Sequence, residues 1–170
     1  MADFWLDSDT FIRSKNEAYG FDLAPGFWKV IDQKAREGII ASSMTVYREL
    51  VKGNDYLAEW ARQRENSGLF VIPNEDVQYQ NRLIANYVQR TYAAHKVQQF
   101  LKGADPWIIA HAKIDGGDVI TFECRVEKKQ NVPDIKIPDI ADKFQVNCIN
   151  VWDLLRILHV SLDISNSKNS

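Results

Sequence analysis

Short apolar runs alternate with amphipathic segments along most of the chain. Each run is rich in β-branched, aromatic or other large apolar residues and has the length of a buried strand. The runs are FWL (4–6), IIAS (39–42), LFVI (69–72), DVITF (118–122) and VNCI (146–149). This alternation predicts an α/β fold: a three-layer α/β/α arrangement with a mostly parallel central sheet of about four or five strands.

Proline, glycine and capping residues divide the intervening segments into helices. Pro25 and Gly38 bracket one amphipathic helix. The segment 74–102 contains neither proline nor glycine and has apolar residues at helical spacing, which predicts one long helix or a pair. Asp105, followed by Pro106, is a helix-start signal. The helix that it opens is apolar almost all the way round, as a central buried helix is.

Composition indicates a globular protein of one domain. The chain has 170 residues, of which 45% are hydrophobic and 26% charged. We expect the domain to span 1–160 and a frayed tail to span 161–170. No apolar run approaches the roughly 20 residues that cross a bilayer, so no membrane association is expected. The two cysteines form no CxxC pair and no basic leader is visible, which favours a cytoplasmic location.

The net charge of −2 does not predict strong nonspecific binding to nucleic acid. A local exception is the segment RVEKKQNVPDIKIP, which carries Arg125, Lys128, Lys129 and Lys136. It is either an ordinary solvated loop or a set of phosphate contacts, and the charge pattern alone leaves both readings open.

Four acids are predicted to meet at one edge of the sheet. Asp7 ends the first strand, and Glu123 follows the DVITF strand. Glu49 lies on the helix after the second strand, and Asp105 begins the central helix. Ligand sites of parallel sheets lie at the carboxyl ends of the strands. Clustered carboxylates require a neutralising cation, and Mg²⁺ or Mn²⁺ prefers such oxygen ligands. This pattern suits metal-dependent hydrolysis of phosphodiesters.

Each acid also has a simpler explanation. Asp105 could be only a helix cap, Glu49 a solvated acid at a helix rim, and Glu123 a loop acid. Asp9 could be a first-turn acid of a helix that Ser8 caps. Asp7 is harder to explain in this way, since a charge at the end of an aromatic strand needs a partner.

The two acids at the first strand tip are also typical of haloacid-dehalogenase-like phosphatases, whose first motif is DxDx[TV]. In this chain Asp7 and Asp9 match the acids, but Thr10 comes one place early. Phe122 occupies the position of the second acid of the GDxxxD-like motif. These two departures exclude that family.

The order and spacing of the acids resemble those of the PIN domain family. Its members have an apolar strand ending in D-[ST]-[ND], a helical glutamate, an aspartate that opens a helix, and a strand ending in T-x-[DE]. The matching residues, within a resemblance that runs from Asp3 to about Leu158, are Asp7, Ser8, Asp9, Glu49, Asp105, Thr121 and Glu123. Asp9 and Glu123 replace the commoner asparagine and aspartate.

The resemblance implies a flavodoxin-like sheet and an Mg²⁺- or Mn²⁺-dependent ribonuclease close to the toxins of toxin–antitoxin pairs. Asp7, Asp105 and Glu123 would be metal ligands, and Glu49 would bind directly or through water. Ser8 and Thr121 would hold metal-bound water or substrate phosphate, and Asp9 would have a supporting part. The implied partners are an RNA substrate and an antitoxin protein, and the segment 74–102 offers a surface for a homodimer. The alternative is a non-catalytic PIN-like module that binds RNA or protein.

Overall fold

The sheet has five strands, all parallel, in the order β3-β2-β1-β4-β5. The structure, a computed structural model, describes residues 1–126 and 134–162. The strands are β1 (Phe4–Leu6), β2 (Ile40–Ser43), β3 (Phe70–Val71), β4 (Asp118–Ile120) and β5 (Cys148–Ile149). All five lie within the apolar runs of the sequence or at their edges. The α/β/α fold class with a parallel sheet is therefore confirmed.

Helices connect successive strands and cover the sheet. They are α1 (Ser8–Arg13), α2 (Pro25–Arg36), α3 (Met44–Leu50), α4 (Tyr56–Arg62), α5 (Glu75–Thr91), α6 (Ala94–Lys102), α7 (Asp105–Asp115), α8 (Ile137–Lys143) and α9 (Val151–Ile157). A π-helical turn, Ser14–Ala18, continues α1. The segment 74–102 is thus a helix pair rather than one long helix. No helix among the described residues is long and apolar enough to span a membrane.

The core centres on β1 and α7. Trp5 and Leu6 of β1 are almost completely buried, because β2 and β4 flank the strand and helices cover its faces. Ile108 and Ile109 of α7 have no exposed surface. Complete burial of an aliphatic side chain of this size contributes about 1.5–3 kcal/mol. The central position that the sequence predicts for α7 is therefore correct.

His111 of α7 has a structural environment. Its ring stacks on Trp5, with 4.2 Å between the ring centroids and 18° between the planes. Burial lowers the pKa of His111 to about 4, so the imidazole is neutral at physiological pH.

Two helix starts differ from the sequence-based expectation. Asp7, not Ser8, caps α1: its backbone is extended and its Oδ1 accepts a hydrogen bond from Thr10 N at 2.6 Å. Ser8 is already helical, so it is not the cap. Ala104 holds the cap position of α7, and Asp105 is the first helical residue without a side-chain capping bond. The explanation of Asp105 as a simple cap is therefore wrong. Most of the predicted tail 161–170 lies outside the described residues, and the 1–160 domain boundary remains a prediction.

Candidate active site

The carboxyl ends of three neighbouring strands carry polar side chains. Asp7 follows β1 directly, Ser43 is the last residue of β2, and Thr121 follows β4 directly. All three are buried. From β1 the chain first adds β2 and β3 on one side of the sheet, and then crosses to add β4 and β5 on the other side of β1. This is the switch point at which open parallel sheets bind ligands.

Asp7 is 1% exposed and only half of its carboxylate is satisfied. Oδ1 accepts the amide of Thr10, whereas Oδ2 accepts no hydrogen bond of normal geometry from the residues that the structure describes. The Thr10 hydroxyl donates to Ile120 O instead. Burial raises the pKa of Asp7 to about 6, although the nearby Thr10 and Thr121 side chains lower it. A proton or a cation bound at Oδ2 would therefore stabilise the buried carboxylate of Asp7.

Asp105 lies at the start of α7 and faces a cleft. Its pKa is raised to about 7, first by burial and then by the charges of Asp7, Glu123 and Glu49. Asp105 therefore lies within electrostatic range of the three other acids, which come from three separate segments. Lys136 opposes the effect by lowering the pKa.

Glu49 connects the start of α1 to the start of α7. Its Oε1 accepts a hydrogen bond from Ala104 N at 2.9 Å, and its Oε2 accepts one from the Ser8 hydroxyl. Both carboxylate oxygens therefore have protein donors. In this arrangement Glu49 positions the two segments that carry Asp7 and Asp105.

Glu123 is turned towards the start of α8. Its Oε2 accepts a hydrogen bond from Ile137 N at 2.8 Å, and its Oε1 lies 3.3 Å from Lys136 Nζ. The Thr121 hydroxyl accepts a hydrogen bond from Glu123 N at 3.0 Å, which fixes the backbone after β4. Like Glu49, Glu123 is satisfied by donors from the protein itself.

Asp9 is half-buried beside the site. Burial raises its pKa, the cation of Arg13 lowers it, and the charge of Glu123 raises it further. Arg13 lies 4.0 Å from Asp9 and binds Glu17 more closely. Asp9 is thus a first-turn acid of α1 within electrostatic reach of Glu123.

The predicted phosphate contacts fall into three groups. Arg125 is bound to Asp142 through two hydrogen bonds of 2.6 and 2.7 Å and does not line the cleft. Lys128 and Lys129 lie outside the described residues. Lys136 faces the acids directly.

The cleft beside the acids has a volume of about 450 Å³. Glu49, Asp105 and Glu123 line it together with Lys136, whose ammonium group is paired with Glu123. The remaining lining residues are Lys96, Gln99, Phe100, Gly103, Asp134 and Ile135. Lys96 and Gln99 belong to none of the motifs found in the sequence. Their spacing of three, with Gly103 four further on, is the helical signal that could have placed them on one face.

The donor set fits a hard divalent cation in part. Carboxylate oxygen is the ligand that Mg²⁺ and Mn²⁺ prefer, and Asp7 Oδ2 is a buried oxygen without a partner among the described residues. However, across residues 1–126 and 134–162 no three acidic, histidine or cysteine side chains are close enough to hold one ion together. The four acids do not together form a complete ligand set for a metal ion, because the carboxylates of Glu49 and Glu123 bind protein donors. Asp7 and Asp105 are the residues that would hold the ion.

Solved structures with a similar fold come from bacterial complexes. FitAcB from Neisseria gonorrhoeae is 18% identical, with a TM-score of 0.51 over 88% of this chain and 98% of the other chain. DNA-bound VapBC from Salmonella typhimurium is 12% identical, with the same TM-score and coverage. At such identities the likeness shows the fold, which is PIN-like as the motifs predict.

A search of curated proteins finds no match to this chain. A family model does match it over residues 4–162, which is nearly all of its length. The chain has a PIN-like fold and belongs to the family described as a domain of unknown function, DUF4411.

Proposed function

We propose that the protein is an Mg²⁺- or Mn²⁺-dependent endoribonuclease. The observation that carries the proposal is the unpartnered Oδ2 of Asp7, found among the described residues at the switch point of the sheet and within electrostatic range of Asp105. Buried carboxylates that raise one another's pKa are characteristic of functional sites. The two positive charges of a divalent cation would offset the negative charges of Asp7 and Asp105.

The proposed mechanism assigns separate tasks to the residues of the site. Asp7 and Asp105 would hold the cation, which would supply activation of water and charge stabilisation of the leaving oxygen of a phosphodiester. Glu49 keeps the segments of these two residues together through Ser8 and Ala104 N. Glu123 completes the acidic set from the end of β4. Lys136 offsets the charge of the acids and meets the substrate phosphate.

We extend the proposal to a toxin held by an antitoxin protein. The structural neighbours are VapBC and FitAcB, and the VapBC structure is bound to DNA. Their likeness supports the fold, and the toxin role comes from the motif resemblance. A homodimer through α5 is part of the same proposal, since Tyr79 and Leu83 of that helix are exposed. The protein would act in the cytoplasm.

A non-catalytic PIN-like binding module is the second candidate. It is favoured by the way in which Glu49 and Glu123 are satisfied by protein donors. With Glu49 and Glu123 bound to protein donors, two of the four acids are not free to bind a cation. A fold can be kept in this way without its catalytic activity.

Metal-dependent cleavage of RNA separates the two candidates. We expect the purified protein to cleave single-stranded RNA with Mn²⁺ or Mg²⁺ and not in EDTA. Asp7→Asn and Asp105→Asn should reduce cleavage by about a hundredfold or more, whereas Asp76→Asn, at an exposed acid of α5, should retain it. Failure of the wild type to cleave with either metal, or equal cleavage by all variants, would refute the nuclease.

Toxicity requires its own experiment. Expression of the chain without a partner should arrest growth, and the Asp7→Asn variant should not. Normal growth at a level of active wild-type protein that cleaves RNA in the extract would contradict the toxin assignment and leave the nuclease standing.

A further inference from the structure

Helix α6 contributes side chains to the same cleft as the acids. Lys96, Gln99 and the buried Phe100 of this helix line the cleft. None of these residues belongs to the acidic motifs. Lys102 at the end of the same helix faces elsewhere and lines an apolar groove between α5 and α6. The helix therefore presents one lysine to the cleft and another to a separate groove.

The ammonium groups of Lys96 and Lys136 lie in the cleft and each contacts a different carboxylate. Lys96 is paired with Asp134, and Lys136 lies 3.3 Å from Glu123. Lys136 also lowers the pKa of Asp105 and of Asp9, so its charge reaches these two acids as well as Glu123. The two lysines come from different elements and offer two separate positions for anions.

Both ion pairs can exchange their carboxylate for a phosphate at little cost. The side chains of Lys96 and Lys136 are 28% and 37% exposed, and pairs with this exposure contribute at most about 1 kcal/mol. A phosphodiester oxygen is an equivalent acceptor, and Gln99 adds an amide donor on the same helix face. A single strand carries phosphates at successive positions and can offer one to each lysine, whereas a nucleoside monophosphate carries a single phosphate.

We infer that Lys96 and Gln99, with Lys136, form a binding subsite for the phosphate backbone of single-stranded nucleic acid beside the acids. The inference rests on the proposed function, because it assumes that a strand is the molecule presented to Asp7 and Asp105. It assigns α6 a role in substrate binding. The pair formed by Lys96 and Asp134 is then the resting contact that the strand replaces.

Strand binding without turnover tests this subsite. Asp105→Asn removes one charge from the cleft, so this variant should bind a labelled oligoribonucleotide in EDTA at low salt, as fluorescence anisotropy would report. Adding Lys96→Ala should weaken binding about tenfold and reduce the slope of log K against log salt by about 0.7, the loss of one contact to a single strand. Adding Lys102→Ala, the matched change on the other face of α6, should alter binding less than about twofold.

A purely structural role of Lys96 predicts a different pattern. If Lys96 only ties α6 to the segment before α8, then Asp134→Asn should reproduce the loss caused by Lys96→Ala. Under our inference Asp134→Asn frees the ammonium group and leaves strand binding unchanged or tighter. A mononucleotide should compete more weakly than a strand with the same total phosphate concentration.

Several results would overturn the subsite. These are equal effects of Lys96→Ala and Lys102→Ala, a loss in Asp134→Asn as large as that in Lys96→Ala, and competition by a mononucleotide equal to that by the strand. Absence of strand binding both by Asp105→Asn at low salt and by the wild type with Ca²⁺ would do the same. Lys96-dependent binding without cleavage by the wild type would refute the nuclease alone. Metal-dependent cleavage that is insensitive to Lys96→Ala in KM would refute the subsite alone.

Discussion

The four acids of the site form two pairs that differ in whether the protein supplies partners for their carboxylates. Glu49 and Glu123 have hydrogen-bond or ion-pair partners for both carboxylate oxygens. Asp7 has a buried oxygen without a partner among the described residues, and the charges of the three other acids raise the pKa of Asp105. Stabilisation of the fold and demand for a cation are therefore carried by different members of one cluster. Removing a charge from each pair should therefore have opposite effects on the stability of the metal-free protein.

The largest difference should appear in cleavage. Asp7→Asn and Asp105→Asn should each reduce Mn²⁺-dependent RNA cleavage by about a hundredfold or more, since several kcal/mol of charge stabilisation is lost with the ion. Glu49→Gln, which keeps an acceptor for Ala104 N, should cost only about tenfold. Single-turnover rates at saturating Mn²⁺ measure the difference. Equal losses in all variants would remove the distinction between the pairs.

Asp7→Asn, which should reduce cleavage, should stabilise the metal-free protein. The pKa of Asp7 is raised to about 6. Between its ordinary value near 3.8 and this value the folded state binds more protons, so the contribution of Asp7 to stability falls as pH rises through that window. Asn cannot ionise and still caps α1 through its side-chain oxygen.

Asp7→Asn should therefore raise the free energy of unfolding at pH 8 by about 1–3 kcal/mol and change it little near pH 4. Urea denaturation in EDTA at both pH values measures this difference. Added Mn²⁺ should stabilise the wild type and not the variant, because the ion binds only the folded state of the wild type. A variant that is less stable than the wild type at pH 8 would show that Asp7 has a partner that satisfies its charge.

The paired acids should respond with a loss of stability. Glu49→Ala leaves the buried amide of Ala104 and the Ser8 hydroxyl without an acceptor, which should cost about 1–2 kcal/mol. Glu59→Ala, at an exposed glutamate of α4, should change stability by less than about 0.5 kcal/mol. Thermal and urea unfolding provide the comparison. If Glu49→Ala stabilised the protein, Glu49 would belong with Asp7 and Asp105 instead.

The smallest effect is the coupling between Asp7 and Asp105. The charge of Asp7 raises the pKa of Asp105, so neutralising either residue relieves the other. The double variant with Asp7→Asn and Asp105→Asn should therefore gain less stability at pH 8 than the two single gains together, by about 0.5–1 kcal/mol. A double-mutant cycle in EDTA measures the shortfall. Strict additivity would place the two carboxylates out of each other's range.

Local pattern was sufficient for much of the fold. Strand positions, the central place of α7 and the helical nature of 74–102 all follow from the period of the apolar residues, which is a property of neighbours along the chain. The position of the break between α5 and α6 was not predicted, because no proline or glycine marks it. The helix caps at Asp7 and Ala104 also escaped prediction, since a cap depends on the backbone angles of a single residue.

The site shows the same division. The sequence by itself determined that acids end or follow parallel strands, because residues 7 and 123 directly follow apolar runs, and parallel strands share one carboxyl edge. Only the tertiary structure decided which acids are satisfied. The donors to Glu49 and Glu123 lie on segments up to 55 residues away or at the start of α8, and the place of Lys96 in the same cleft as Asp105 depends on how α6 packs. Hydrogen bonds and charges act through space, so sequence spacing places the acids but does not determine their partners.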